Sequence, residues 1–173
     1  MIFNILLELA FLLIPLYYFK KHRKSIAKET GLERKKASQA WKYSLIILGA
    51  MGITALALGI AFSIAGFNDS EKVSEALQEA IQEPLFLAFT LTVGVALEEF
   101  FFRGFLVKRW GILASSAVFG IMHIFYGSVA EIAGAFFLGL VLAFFWKKYK
   151  NLYANIYAHL LWNAVALITA TMV

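Results

Sequence analysis

Apolar segments of membrane-spanning length recur along this chain and leave little else for it to fold into. Six stand out: Ile2–Phe19, Ser44–Phe67, Leu85–Leu106, Gly111–Tyr126, Val129–Trp146 and Leu152–Met172. Each approaches the roughly 20 residues that a helix needs to cross a bilayer core, and the shorter fourth and fifth suit tilted or site-lining helices. With 61% hydrophobic residues among 173, and a mean hydropathy of +0.75, the chain is too apolar for an ordinary soluble domain. The expected fold is all-α: a polytopic transmembrane helix bundle of about six spans plus a surface amphipathic helix, in one integral-membrane domain over residues 1–173. The absence of cysteine removes disulfide scaffolds, thiolate metal sites and cysteine nucleophiles. No basic residue precedes the first apolar stretch and no small-residue cleavage site follows it, so a cleaved signal peptide is not expected.

The net charge of +5 would suit nucleic-acid binding only if it were arranged for it. It is not. Nine basic residues lie between Lys20 and Lys42, a second group is Lys108 and Arg109, and a third is Lys147, Lys148 and Lys150. Each group ends an apolar segment, as the positive-inside rule describes, and no base-stacking pattern interleaves them. Nucleic acid is therefore not an expected partner; membrane lipid is. Placing all three groups in the cytoplasm puts both termini outside. The connection 68–84, with Asp69, Glu71, Glu75, Glu79 and Glu83 against Lys72 alone, then also falls outside.

Within that connection Val73, Leu77 and Ile81 recur every four residues with acids between them, the pattern of an amphipathic helix on the outer surface. Asn68 and Glu71 have capping-box spacing, and Pro84 suits the first turn of the next span. The basic stretch 20–42 is expected to be partly helical and held by anionic lipid. Small residues (Gly49, Gly52 and Gly59; Gly134 and Gly139; Ala114 to Ala117) mark where helices are expected to touch.

Chemistry is concentrated in residues 85–172. Glu98, Glu99 and Arg103 interrupt the third segment, although each ionised residue at that depth costs about 2.5–3.5 kcal/mol even on lenient scales. Three pairs stand at i, i+4 on separate segments: Glu99 and Arg103, Phe119 and His123, His159 and Asn163. At about 1.5 Å per residue, Glu98 lies roughly 15 Å from Lys108 and His159 roughly 14 Å from Lys150, so these groups can converge near the midplane. Arg103 is the natural partner of Glu99. Glu98 points about 100° around the helix, away from that cation, which suits a proton acceptor. With His123 it can hold and activate water, while His159 and Asn163 can donate to a developing oxyanion. Singly, each pair has a plainer reading: a salt bridge, a histidine bonded to a carbonyl, an asparagine tying helices together. Five polar residues on three spans with one-face spacing are harder to read as scattered glue. His22 lies in the basic connection and is excluded from the site.

At these residues the chain resembles the CPBP intramembrane proteases, which include the CAAX-processing endoprotease of the Rce1 type. The family's ordered motifs stand here as EEFFFR at Glu98–Arg103, FGIMH at Phe119–His123 and HLLWN at His159–Asn163. The resemblance implies that Glu98 and His123 are the water-activating pair, that His159 and Asn163 line the oxyanion site, and that Glu99, Arg103 and Phe119 support them. It implies an endopeptidase acting on a membrane-associated or lipidated, CAAX-type peptide. This chain is shorter than many members and has fewer spans, so substrate type is not carried over with the motifs. Glu98, His123 and His159 would also make a carboxylate–histidine set like those of catalytic zinc sites. No HExxH helix is present and Asn163 suits an oxyanion donor better than a ligand, so no cofactor is the favoured expectation and zinc the alternative. A proton or cation transporter using the same groups, or a catalytically silent scaffold, are the rival functions. The oligomeric state is not readable.

Overall fold

A computed structural model describes residues 2–67 and 69–171. All regular structure among them is helical. In chain order the helices are α1 (Ile2–Lys21), α2 (Ile26–Thr30), α3 (Arg34–Ile64), α4 (Ser70–Ile81), α5 (Pro84–Phe89), α6 (Val95–Glu99), α7 (Val107–Met122), α8 (Val129–Tyr149) and α9 (Leu152–Thr171). Wider π-helical turns at Thr90–Gly94 and Phe100–Leu106 join α5, α6 and the start of α7 into one rod that begins, as expected, with Pro84 in its first turn.

Gly111 breaks that rod, at φ 82° and ψ 177°. The chain then folds back on itself: the Ser115 hydroxyl donates to the Phe102 carbonyl at 2.9 Å, and the rings of Phe102 and Phe119 meet at 5.0 Å. Along an unbroken helix those thirteen residues would span about 20 Å. The third and fourth apolar segments are thus the two arms of a helical hairpin.

Among the described residues three stretches are long and apolar enough to cross a membrane: Ile26–Ile64, Pro84–Tyr126, which contains the hairpin, and Val129–Tyr149. The remaining apolar segments form α1 and α9, each of 20 residues. Asn155, His159 and Asn163 interrupt the apolar run of α9, and Glu8 that of α1. The architecture is therefore an integral-membrane all-α bundle.

The charged connections sort to the two ends. At one end Lys108 pairs with Glu29 (3.0 Å), the Lys36 ammonium donates to the Lys150 carbonyl (2.7 Å), and the Asn151 amide donates to the Lys36 carbonyl (2.9 Å). There too, the buried Trp146 indole donates to the Thr30 carbonyl at 2.9 Å. Gly31, at φ 87°, passes so close to the Lys150 carbonyl that a Cβ would overlap it. All three basic groups are thereby gathered on one face of the bundle.

At the other end Asp69 accepts from the Ser128 hydroxyl (2.9 Å) and from the amides of Val129 (2.6 Å) and Ala130 (3.3 Å). Those amides open α8, where N–H groups have no intrahelical acceptor. Burial pushes the Asp69 carboxyl up, but the Ser128 hydroxyl and the two amides outweigh it and hold the group below its ordinary value. Lys72 adds a bond to the Gly127 carbonyl at 3.1 Å, so α4 is fastened over the start of α8. The capping-box reading fares differently. Asn68 lies outside the described residues, and Asp69, at the N-cap of α4, makes no side-chain cap there because its carboxylate serves α8.

Tight helix contact follows only part of the small-residue pattern, at Gly139 and the Ala114 to Ala117 stretch. A Cβ added at Gly49, Gly52, Gly59 or Gly134 would meet nothing within 4 Å, so these do not mark close crossings. The crossing that needs small residues is α7 on α8. A Cβ at Gly120 would stand 2.8 Å from the Ile132 carbonyl oxygen, and one at Gly139 would stand 3.1 Å from the Phe119 ring. Ser115 and Ser116 are buried in the same seam. Beside it, Phe11, Phe100, Phe102, Phe105 and Phe119 form an aromatic core that ties α1 to the hairpin.

Candidate active site

Glu98 and Glu99 occupy the short α6, with a π-helical segment on either side. The extra residue in a π turn re-aims the side chains that follow, and such turns recur at functional sites. Glu99 is wholly buried. Its Oε1 lies 2.8 Å from Arg103 Nη1 and 3.0 Å from His159 Nδ1, so one carboxylate oxygen serves two partners from two helical segments. Arg103 is 1% exposed and His159 6%. A carboxylate only accepts, so Nδ1 carries the hydrogen of that contact and Nε2 is turned outward. There it meets Glu98 Oε2 at 3.9 Å, on a side chain 25% exposed. The two acids thus divide as the sequence suggested: Glu99 is sealed inside an ion pair, and Glu98 stands at the accessible edge.

Phe119 holds three of these groups in place. Its ring centroid lies 4.2 Å from the Arg103 guanidinium carbon, 4.8 Å from the His123 ring and 5.9 Å from the His159 ring. His123 Nδ1 donates to the Phe119 carbonyl at 2.9 Å, which leaves Nε2 as the acceptor of that ring. Gly139 of α8 makes room behind them: a Cβ there would come within 3.5 Å of Arg103 Nη2.

Six of the seven expected site residues are therefore joined by direct contacts: Glu98, Glu99, Arg103, Phe119, His123 and His159. Asn163 lies one helical turn beyond His159 on α9 and is partly buried. Among the described residues no hydrogen bond or ion pair ties it to the other six.

Three residues at this end of the site were not anticipated. Tyr126 stacks on His123 with centroids 5.9 Å apart. Glu131, in the first turn of α8, lies within electrostatic reach of His123. Glu8 of α1 lies within electrostatic reach of Glu98. Glu8 and Glu131 both interrupt apolar segments, and an ionisable residue there signals function by default. They stand outside any i, i+4 pair, which is why a search for pairs passes over them.

A zinc site needs three protein donors converging on one point about 2 Å from each. Among the described residues no three His, Asp or Glu side chains gather in that way. Glu98, His123 and His159 as arranged here do not fit a metal.

Fold and site together define a membrane-embedded helical bundle built around a buried carboxylate–guanidinium–imidazole cluster. Residues 80–165 match the family described as type II CAAX prenyl endopeptidase Rce1-like, and the chain belongs to that family. The match contains all three motifs. The chain is also 27% identical over 157 residues to a Bacillus subtilis (strain 168) protein named "Putative membrane peptidase YdiL". That alignment covers 84% of this chain and 63% of the relative, so the chain spans less than two thirds of the relative's length. No solved structure matches the chain with significance.

Proposed function

We propose that the protein is an intramembrane endopeptidase that hydrolyses a peptide bond of a membrane-associated or lipidated substrate with water activated by Glu98 and His123. The observation that carries this reading is the sharing of Glu99 Oε1 by Arg103 and His159, which presents His159 Nε2 beside Glu98. A salt bridge needed only for stability would have no use for a second, partly exposed carboxylate at its edge.

In the proposed reaction, water oxygen attacks the scissile carbonyl carbon and gives a proton to the Glu98 carboxylate, with His123 Nε2 accepting from the same water. The new oxyanion takes hydrogen bonds from His159 Nε2–H and the Asn163 amide. Because Nδ1–H is already committed to Glu99, donation from Nε2 requires His159 in its doubly protonated form, whose charge Glu99 balances. Two acids and two cations then sum to zero, which lowers the cost of burying them. Collapse breaks the C–N bond, the departing nitrogen takes the proton held by Glu98, and a carboxylic acid and an amine leave. Positioned bases contribute about 10²–10⁴-fold and each oxyanion donor about 10²–10³-fold.

The proposal includes metal-free chemistry, crossings by α1 and α9 as well, and the basic end of the bundle in the cytoplasm with both termini outside. Purified protein in liposomes, incubated with internally quenched peptides with and without an S-farnesyl cysteine near the C-terminus, tests the reading. Mass spectrometry should show one cleaved bond, surviving exhaustive chelation and absent with His159→Ala. No cleavage of any peptide, or cleavage indifferent to His159→Ala, contradicts the reading; loss on chelation restored by zinc overturns its metal-free part.

A further inference from the structure

Glu8 is the one acid of α1, and its surroundings give it no local role. It is 9% exposed, and its Oε2 is buried without a hydrogen-bond partner. Its Oε1 lies 3.0 Å from where a Cβ of Gly94 would stand, so the bare backbone of Gly94 is what lets the carboxylate approach the rod. Gly94 precedes Glu98 by four residues, and Glu8 and Glu98 lie within electrostatic reach of each other. Depths agree as well: at about 1.5 Å per residue, Glu8 is roughly 18 Å from Lys20 and Glu98 roughly 15 Å from Lys108. No lysine, arginine or histidine pairs with Glu8 among the described residues.

A buried carboxylate oxygen with no donor costs several times what a satisfied one does, and a structural position would hold leucine or methionine at no such cost. A peptide entering a dry helix bundle has the complementary difficulty, since its N–H groups leave water and each needs an acceptor. The polar groups assigned above to catalysis offer that peptide donors for its carbonyl and a base for its water, but no spare acceptor. Glu99 Oε2 is also unpaired, yet it is sealed behind Arg103 and His159.

We infer that Glu8 is a substrate-binding residue, whose carboxylate accepts a hydrogen bond from a main-chain N–H of the peptide beside the scissile bond. This rests on the protease reading and adds α1 to the site.

The test compares wild type, Glu8→Ala and Glu8→Gln in liposomes on the cleaved farnesylated peptide and on a set of its analogues, each N-methylated at one amide flanking the scissile bond. Glu8→Ala should raise KM about ten- to a hundredfold with kcat nearly unchanged, the range expected for a hydrogen bond to a charged group. Glu8→Gln keeps an acceptor oxygen and should recover most of the loss. One N-methylated analogue should lose the same factor against wild type and nothing further against Glu8→Ala, which a merely structural role would not produce. Equal KM in wild type and Glu8→Ala of matched thermal stability, or the same N-methyl penalty in both, overturns the inference. The same peptides, fluorescently labelled, are titrated by anisotropy against Glu98→Gln with and without Glu8→Ala, giving Kd without turnover. An absence of any Glu8 effect there overturns the inference, whereas no cleavage of any peptide by the wild type overturns the protease reading instead.

Discussion

The Phe119 ring lies 4.2 Å from the guanidinium carbon of Arg103, which places the second motif on top of the first. A phenylalanine four residues before a histidine looks like ordinary core packing. Here it covers one face of a cation whose end is held by Glu99, and it also touches both site histidines. Phe119→Leu keeps apolar burial and removes the cation–π contact, worth about 2 kcal/mol when desolvated. It should lower stability by about that much, whereas Phe119→Ala should cost about 3–5 kcal/mol. Thermal unfolding in detergent separates the two, and activity should fall in both because Arg103 and the histidines lose their common support.

Arg103 and Glu99 form a buried ion pair at 2.8 Å, and removing one partner leaves the other uncompensated. Arg103→Met should destabilise the bundle by about 3–5 kcal/mol. The double variant Arg103→Met with Glu99→Gln should be more stable than Arg103→Met alone, because no lone charge remains, yet it should stay inactive because His159 loses its carboxylate. Unfolding midpoints for the wild type, both single variants and the double variant complete the cycle.

Gly139 and Gly134 lie five residues apart on α8 in opposite situations. A Cβ at Gly139 would stand 3.1 Å from Phe119, 3.3 Å from Ser116 and 3.5 Å from Arg103, whereas one at Gly134 would meet nothing within 4 Å. Gly139→Ala should cost about 1–3 kcal/mol through overpacking and reduce cleavage. Gly134→Ala should be neutral or slightly stabilising, since alanine is the better helix former. Equal effects in a paired stability and activity assay would contradict the placement of Arg103 behind Gly139.

Asp69 predicts a pH dependence of known sign. Its folded-state value is depressed, so its contribution is complete above the ordinary aspartate range and is lost as pH falls through the lower folded value. Amide exchange across residues 70–81 should therefore be constant from neutral pH down to about pH 4 and accelerate below it, after correction for intrinsic rates. Asp69→Asn should exchange faster at neutral pH and lose the acid-induced step.

Much of this was readable in the sequence because the bilayer restricts the answer so severely. Hydropathy delivered the helices, and the three spaced pairs together with Glu98 delivered seven residues, six of which the fold brings into contact. What it could not deliver were features decided by tertiary packing. The hairpin depends on Gly111 adopting a conformation that no hydropathy window registers. The π turns beside Glu98 and Glu99 change side-chain direction without changing composition. Asp69 counted only as one acid of the outer connection, yet it caps α8, some 60 residues on, a partnership invisible to short-range spacing. Glycines in α3 matched the pattern of close crossings, but a Cβ at any of them would meet nothing within 4 Å among the described residues. Glu8 joined no motif, and only the approach of α1 to Gly94 gives it meaning.

The central claim is that Glu98 receives the proton of the attacking water while Glu99, Arg103 and His159 hold the scaffold around it. The most direct measurement is kcat for Glu98→Gln against wild type on the same farnesylated peptide in the same liposomes. The account predicts a fall of about 10²–10⁴-fold with KM and thermal stability nearly unchanged. A kcat equal to wild type in a correctly folded Glu98→Gln protein would contradict it.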